Sequence, residues 1–148
     1  MLSRTLIILL LITTCLSSCT PDAMNNNGNG SNPGLMSADI NGSLWYANNG
    51  YATSPNVSVL QLNGNYNSAA HIYISISGYT GTGSYSLGGF NSAIYYDGNG
   101  TDYPATTGNL TVTSDNGSQV MGIFSFSGTS TVGGLPIAVS SGHFNLSR

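Results

Sequence analysis

The chain has 148 residues and very few charges: two Arg and five Asp, with no Lys and no Glu, for a net charge of −3. Charged residues are 5% of the chain, against about 25% in an ordinary globular protein, and Ser, Thr, Asn and Gly fill about half of it. This balance excludes nucleic-acid binding, which needs a basic patch, and coiled coils or long surface helices, which need Glu, Lys, Gln and Arg.

Met1-Leu2-Ser3-Arg4 is a short basic start, and Leu6 to Ile12 is an unbroken aliphatic run. It is far shorter than the ~20 apolar residues of a spanning helix, so residues 1–18 read as a signal peptide. Leu16-Ser17-Ser18-Cys19 resembles the bacterial lipobox, a Leu three residues before a Cys with small residues between. In lipoproteins of that kind the Cys sulfur receives a diacylglyceryl group and the chain is cut before it. Cys15 is a poorer candidate, because Thr14 precedes it. The only cysteines are these two, so a domain in an oxidising compartment has no internal disulfide and Cys19 no partner. Two or three acyl chains anchor a protein stably where one does not. The expected address is therefore the cell envelope, by a lipid on Cys19, with the outer membrane favoured.

Residues 19–34, the Cys followed by an Asn/Gly-rich stretch, lack the apolar content to order themselves and read as a tether. Residues 35–148 read as a single domain, as the length suggests. There the apolar pattern has period two and is broken by turns, the signature of an all-β domain. Ala38 and Ile40 lead into Asn41-Gly42, a strong hairpin signal, and then Leu44-Trp45-Tyr46. Val57 to Leu62 runs into Asn63-Gly64. Ala70 to Ser77 alternates, with Ile72, Ile74 and Ile76 on one face and His71, Tyr73 and Ser75 on the other. Tyr85 to Leu87, Ala93 to Tyr96, Asn109 to Thr113 and Gln119 to Ser127 follow, with a turn at Asp115-Asn116-Gly117. Ile137 to Val139 and His143 to Leu146 close the chain. About eight to ten short strands without a helix predict an antiparallel β-sandwich or a partly closed barrel.

The expected core is Ile40, Trp45, Val59, Ile72, Ile74, Ile76, Leu87, Leu110, Val112, Phe124, Phe126, Val139, Phe144 and Leu146. The strand from Gln119 has apolar residues on both faces, and loops of the protein are expected to cover Met121 and Ile123. With no Lys to guard edge strands, Pro104, Pro136 and glycine bulges are expected to do so.

The segment Asp39-Ile40-Asn41-Gly42-Ser43-Leu44-Trp45-Tyr46-Ala47 resembles the opening of an uncharacterised family of small Bacteroidota lipoproteins, in which N-G-x-x-W-x-A follows the lipobox and linker. Gly83-Ser84-Tyr85-Ser86-Leu87-Gly88, Gly122-Ile123-Phe124-Ser125-Phe126 and Ser141-Gly142-His143-Phe144-Asn145 are similar to later family motifs. The resemblance implies an all-β domain on a lipid anchor and carries over no catalytic residues.

The chemistry left beyond Cys19 is sparse. Without Glu, Lys or a free Cys, most nucleophiles and general bases are absent, so no enzyme activity, metal or cofactor is expected. The pattern G-x-S-x-G does not occur. An alternative reading, a hydrolase or metal-dependent enzyme, would use His71 or His143, or Asp97 with Asp102. Both histidines sit in phase with polar strand faces. Asp97-Gly98-Asn99-Gly100-Thr101-Asp102 places oxygens at calcium-loop positions one, three and five. But Asp102 stands where the loop needs Gly, and Gly108 where it needs a bidentate Glu. The best ligand-binding cluster in the sequence is Tyr95, Tyr96, Asp97, Asn99, Asp102 and Tyr103, aromatic faces beside amide and carboxylate groups around one turn. Its expected partner is a glycan or another envelope protein, beside the membrane itself.

Overall fold

The computed structural model describes residues 35–67 and 70–148. The signal peptide and the Cys19 tether predicted for residues 1–34 lie outside the described residues. The described residues form ten strands: β1 Met36–Ile40, β2 Ser43–Tyr46, β3 Asn49–Asn56, β4 Val59–Tyr66, β5 Ala70–Ser77, β6 Gly83–Leu87, β7 Ser92–Asp97, β8 Asp102–Asp115, β9 Gln119–Thr129 and β10 Pro136–Ser147. Their order is β2-β1-β10-β9-β8-β7-β5-β4-β3, with β6 beside β8, and every pairing is antiparallel. The sheet curls into a half-barrel, so the all-β expectation holds in its partly closed form.

The long strand β8 makes the curl. One edge pairs with β9 from Ala105 to Asp115. The other edge carries β7 opposite residues 102–104 and β6 opposite residues 108–112. One strand thus belongs to two sheet segments, and the change of partner falls at its bulge near Ala105–Thr107. Pro104 sits there, opposite Ile94. The expected edge role is therefore wrong for Pro104, which occupies an inner strand where a bulge tolerates its missing N–H. Pro136 opens β10, and Pro55 lies in the edge strand β3, both places where no ladder donor is required.

The core lies inside the curl. It joins Met36, Trp45, Leu60, Leu62, Ile72, Ile74, Ile76, Leu110, Val120, Phe124, Phe126, Phe144 and Leu146 with smaller neighbours. Three inward glycines make room for the aromatic rings. Gly108 stands opposite Phe126, Gly122 opposite Phe144 and Gly142 opposite Phe124. A Cβ on Gly122 would meet Phe144 Cζ at 2.5 Å, and one on Gly142 would meet Phe124 Cδ2 at 2.7 Å. Across the barrel, Met36 Sδ lies 2.6 Å from where a Cβ on Gly64 would be, and Leu146 Cδ2 2.8 Å from one on Gly50. The β1–β10 side and the β3–β4 side therefore meet through glycines, and this contact closes the curl.

Bulges decide which residues face inward. Val139 faces Phe126 and Gly142 faces Phe124, so β10 carries one extra residue between them, with Ser141 at φ 51°. A strict period of two from Val139 would send His143 into the core. The extra residue shifts the phase, so Gly142, Phe144 and Leu146 point inward and His143 outward. The two separate strands expected at the C-terminus are one strand for the same reason. At the first hairpin Asn41 (φ 49°) and Gly42 (φ 81°) both adopt positive φ, as a two-residue hairpin turn requires.

Four expectations need correction. Val59 is only half-buried, because Leu60, Leu62 and Gly64 are the inward set of β4. Ile40 is half-buried and packs on the core from the end of β1. Asn63-Gly64 is not a turn: Gly64 lies mid-strand beneath Met36, and β4 runs on to Tyr66. Among the described residues no loop covers Ile123, which is 52% exposed, while Met121 is half-buried.

Two neighbours on β9 test this packing. Phe124→Ala removes a buried ring and should cost about 3–5 kcal/mol in urea unfolding. Ile123→Ala, on the opposite face, should change stability by no more than about 0.5 kcal/mol. Equal effects at the two positions would overturn the face assignment.

Candidate functional site

The register fixes the outer face of the β3–β4–β5–β7–β8 segment. One rung reads Tyr51, Asn63, Tyr73, Ile94 and Pro104 across the five strands. The next reads Asn49, Asn65, His71, Tyr96 and Asp102. On the other side lie Thr53, Gln61, Ser75 and Ser92. Alternation requires all of them to face away from Ala52, Leu60, Leu62, Ile72, Ile74 and Ala93, which are buried. The result is an open sheet face of aromatic, amide and hydroxyl groups.

Local bonds hold much of this face in place. Asn65 Nδ2 donates to Asn49 Oδ1 at 3.1 Å, and Thr53 Oγ1 donates to Gln61 Oε1 at 3.3 Å. The His71 and Tyr96 rings stack at 3.9 Å with 21° between their planes. Tyr51 is 50% exposed, and Tyr73 and Tyr96 are partly exposed. Amides offer both a donor and an acceptor, and an aromatic ring offers a flat apolar face. Such a surface can take a ligand rich in hydroxyl groups and C–H faces.

The six-residue cluster read from the sequence is divided by the sheet. Tyr96 and Asp102 lie opposite each other on this outer face. Tyr95 and Tyr103 are also cross-strand partners, 6.0 Å apart, but they point the other way and pack against the core. Burial raises the Tyr95 phenol above its ordinary value, and Asp97 and Tyr103 add to the shift. Asp97 Oδ1 accepts from the backbone N–H of Asn99 at 2.7 Å and of Thr101 at 3.1 Å. These bonds, Asn99 first, hold its carboxyl below the usual carboxylate value against the opposing effect of desolvation. The carboxylate thus caps its own hairpin tip. The face residues that sequence reading missed are Tyr51 and the whole of β3. Asn49 to Asn56 holds only Tyr51, Ala52 and a Pro as apolar groups, so its period carries almost no signal.

The two histidines lie apart. His71 belongs to the face just described. His143 borders a depression of about 390 Å³ on the outside of β8, β9 and β10, with Thr111, Ile123, Ser125 and Ser141 among its walls. No carboxylate lines it, and among the described residues no three His, Cys, Asp or Glu come together.

Fold and face together define an aromatic-faced β half-barrel of low charge. The chain belongs to the family described as a domain of unknown function (DUF6252), whose match covers residues 32–146. No curated protein and no solved structure matches it.

Among the described residues one ion pair is formed, between Arg148 and Asp115. Arg148 Nη2 donates to Asp115 Oδ2 at 2.6 Å, and the Tyr79 hydroxyl donates to the same oxygen at 2.5 Å. Asp115 Oδ1 accepts from Gly117 N at 3.0 Å, and Arg148 N donates to Ser118 O at 3.0 Å. The end of β10, the β8–β9 tip and the loop after β5 are thus tied together. Burial alone would raise the Asp115 carboxyl, but the bonds from Tyr79 and Gly117 and the Arg148 charge outweigh it and hold it below 3.8. Burial first, then the bond to Asp115, raises the Tyr79 phenol well above 10.0.

A depressed carboxyl stabilises the fold above its unfolded value and loses that contribution as pH falls through the folded one. A raised phenol stabilises below its unfolded value and loses that contribution as pH climbs through the folded one. Melting temperature should therefore fall as pH drops below about 4. Asp115→Asn should be less stable than wild type at neutral pH and show a flatter acid limb. Parallel acid limbs in the two proteins would remove Asp115 from this account.

Proposed function

We propose that this protein is a lipid-anchored, non-catalytic binding module of the cell envelope whose ligand is a glycan. The observation that carries the reading is the outer face built from Tyr51, Tyr73, Tyr96 and His71 with Asn49, Asn63, Asn65 and Gln61. It combines flat rings with neutral donors and acceptors and is open rather than cleft-like, a geometry for holding a ligand rather than transforming one. The anchor rests on Leu16-Ser17-Ser18-Cys19, which resembles a lipobox, and the source on the resemblance to Bacteroidota lipoproteins. The outer membrane is the favoured location.

Two experiments test the two parts. Cys19→Ala should move the protein from the membrane pellet to a soluble or unprocessed form and abolish uptake of labelled fatty acid. Retention in the pellet, with no label on wild type, would remove the anchor. For the ligand, the full chain in a detergent without a sugar headgroup should bind on a glycan array, and Tyr51→Ala should weaken that binding. A blank array together with Tyr51-dependent capture of a defined envelope protein would replace the glycan by a protein.

A further inference from the structure

Resting on that reading, we infer that the face selects a neutral, extended, β-1,4-linked glycan lying across the strands along the Tyr51–Asn63–Tyr73 rung. Three features of the site point to it. The first is spacing. Tyr51 on β3 and Tyr73 on β5 occupy the same rung with β4 between them. Two strand spacings separate them, roughly 9.4–9.8 Å. That distance matches the two-sugar repeat of an extended β-1,4-linked chain, in which alternate sugars return to the same orientation. A coiled α-linked chain presents no such straight repeat.

The second feature is what stands between and beside the rings. Asn63 lies between Tyr51 and Tyr73, under the sugar that stacks on neither. Its amide has a donor and an acceptor for the hydroxyls at that sugar's edge. On either side the Asn65–Asn49 and Thr53–Gln61 bonds fix polar rows parallel to the rung. Groups already held in place lose little freedom on binding. Ile94 and Pro104 continue the rung beyond Tyr73 with apolar surface, so the track spans five strands.

The third feature is charge. The only ionisable groups in these rows besides the tyrosines are His71 and Asp102, which flank Tyr96 in the Asn49 rung. The only Lys or Arg among the described residues is Arg148, bound to Asp115 far along the chain. An acidic polysaccharide would meet no fixed cation here, and Asp102 would repel it. A neutral chain meets no penalty.

The test is isothermal titration of the full chain, in a zwitterionic detergent, with cellohexaose, maltohexaose and an oligogalacturonate. Cellohexaose should bind, and the other two should bind at least about tenfold more weakly, the factor that roughly 1.4 kcal/mol produces. Tyr51→Ala and Tyr73→Ala should each weaken cellohexaose by about tenfold or more. Ile123→Ala, on the other outer face, should leave it unchanged. Tyr51 is exposed, so its variant keeps the fold even if the Tyr73 variant does not, and melting curves identify any variant that fails to fold. Tyr51-dependent binding of maltohexaose or of the acidic chain instead would overturn the selectivity while leaving the glycan reading intact. No binding of any of the three, with a blank glycan array, would overturn both.

Discussion

Three phenylalanines in adjacent strands can share one small core only because a glycine stands opposite each of them. Gly108, Gly122 and Gly142 face Phe126, Phe144 and Phe124 across the β8–β9–β10 ladder. The rings then settle 6.5 Å apart, Phe124 against both Phe126 and Phe144. Aromatic side chains lying over cross-strand glycines bend a sheet and pin its register. The same device acts at longer range, where Met36 fits over Gly64 and Leu146 over Gly50. Close approach at these glycines lets an open ten-stranded sheet curl far enough to enclose its own core, with no helix or second layer among the described residues.

The curl has a consequence for the candidate site. Because the interior is filled by one face of every strand, the other face of β3, β4, β5, β7 and β8 packs against no other described strand. The residues there must suit water: amides, hydroxyls and tyrosines, with almost no charge. Tyrosine is a good strand former on a half-wet surface, so the fold alone can accommodate it. Fold alone does not require Tyr51 and Tyr73 on one rung two strands apart, with an amide between them and bonded polar pairs on both flanks.

Low charge also shapes stability. With one ion pair among the described residues, electrostatic stabilisation is gathered where Arg148 and Tyr79 share one Asp115 oxygen. This pins the C-terminal strand to the β8–β9 tip. The rest of the domain rests on apolar burial and the ladder, which ordinary salt and pH scarcely touch.

Much of this was legible in the chain itself, and the boundary follows from the range of the interactions involved. Alternation is local, so β5 was readable to the residue, and Asn41-Gly42 declared its hairpin because positive φ is a property of those residue types. Most of the core followed from the same periodicity. Three things were not local. The union of the Ile137–Val139 and His143–Leu146 segments into one strand depends on a bulge at Ser141 that exists only in the pairing with β9. The inward set of β4 depends on Met36, 28 positions away in the chain, needing the space above Gly64. The site depends on register across five strands. Tyr95, Tyr96 and Tyr103 are neighbours around one turn, yet the sheet sends Tyr96 outward and the other two toward the core. It also brings Tyr51 and Tyr73 to a common rung. A strand's sequence determines that its residues alternate; only its neighbours determine which of them end up side by side.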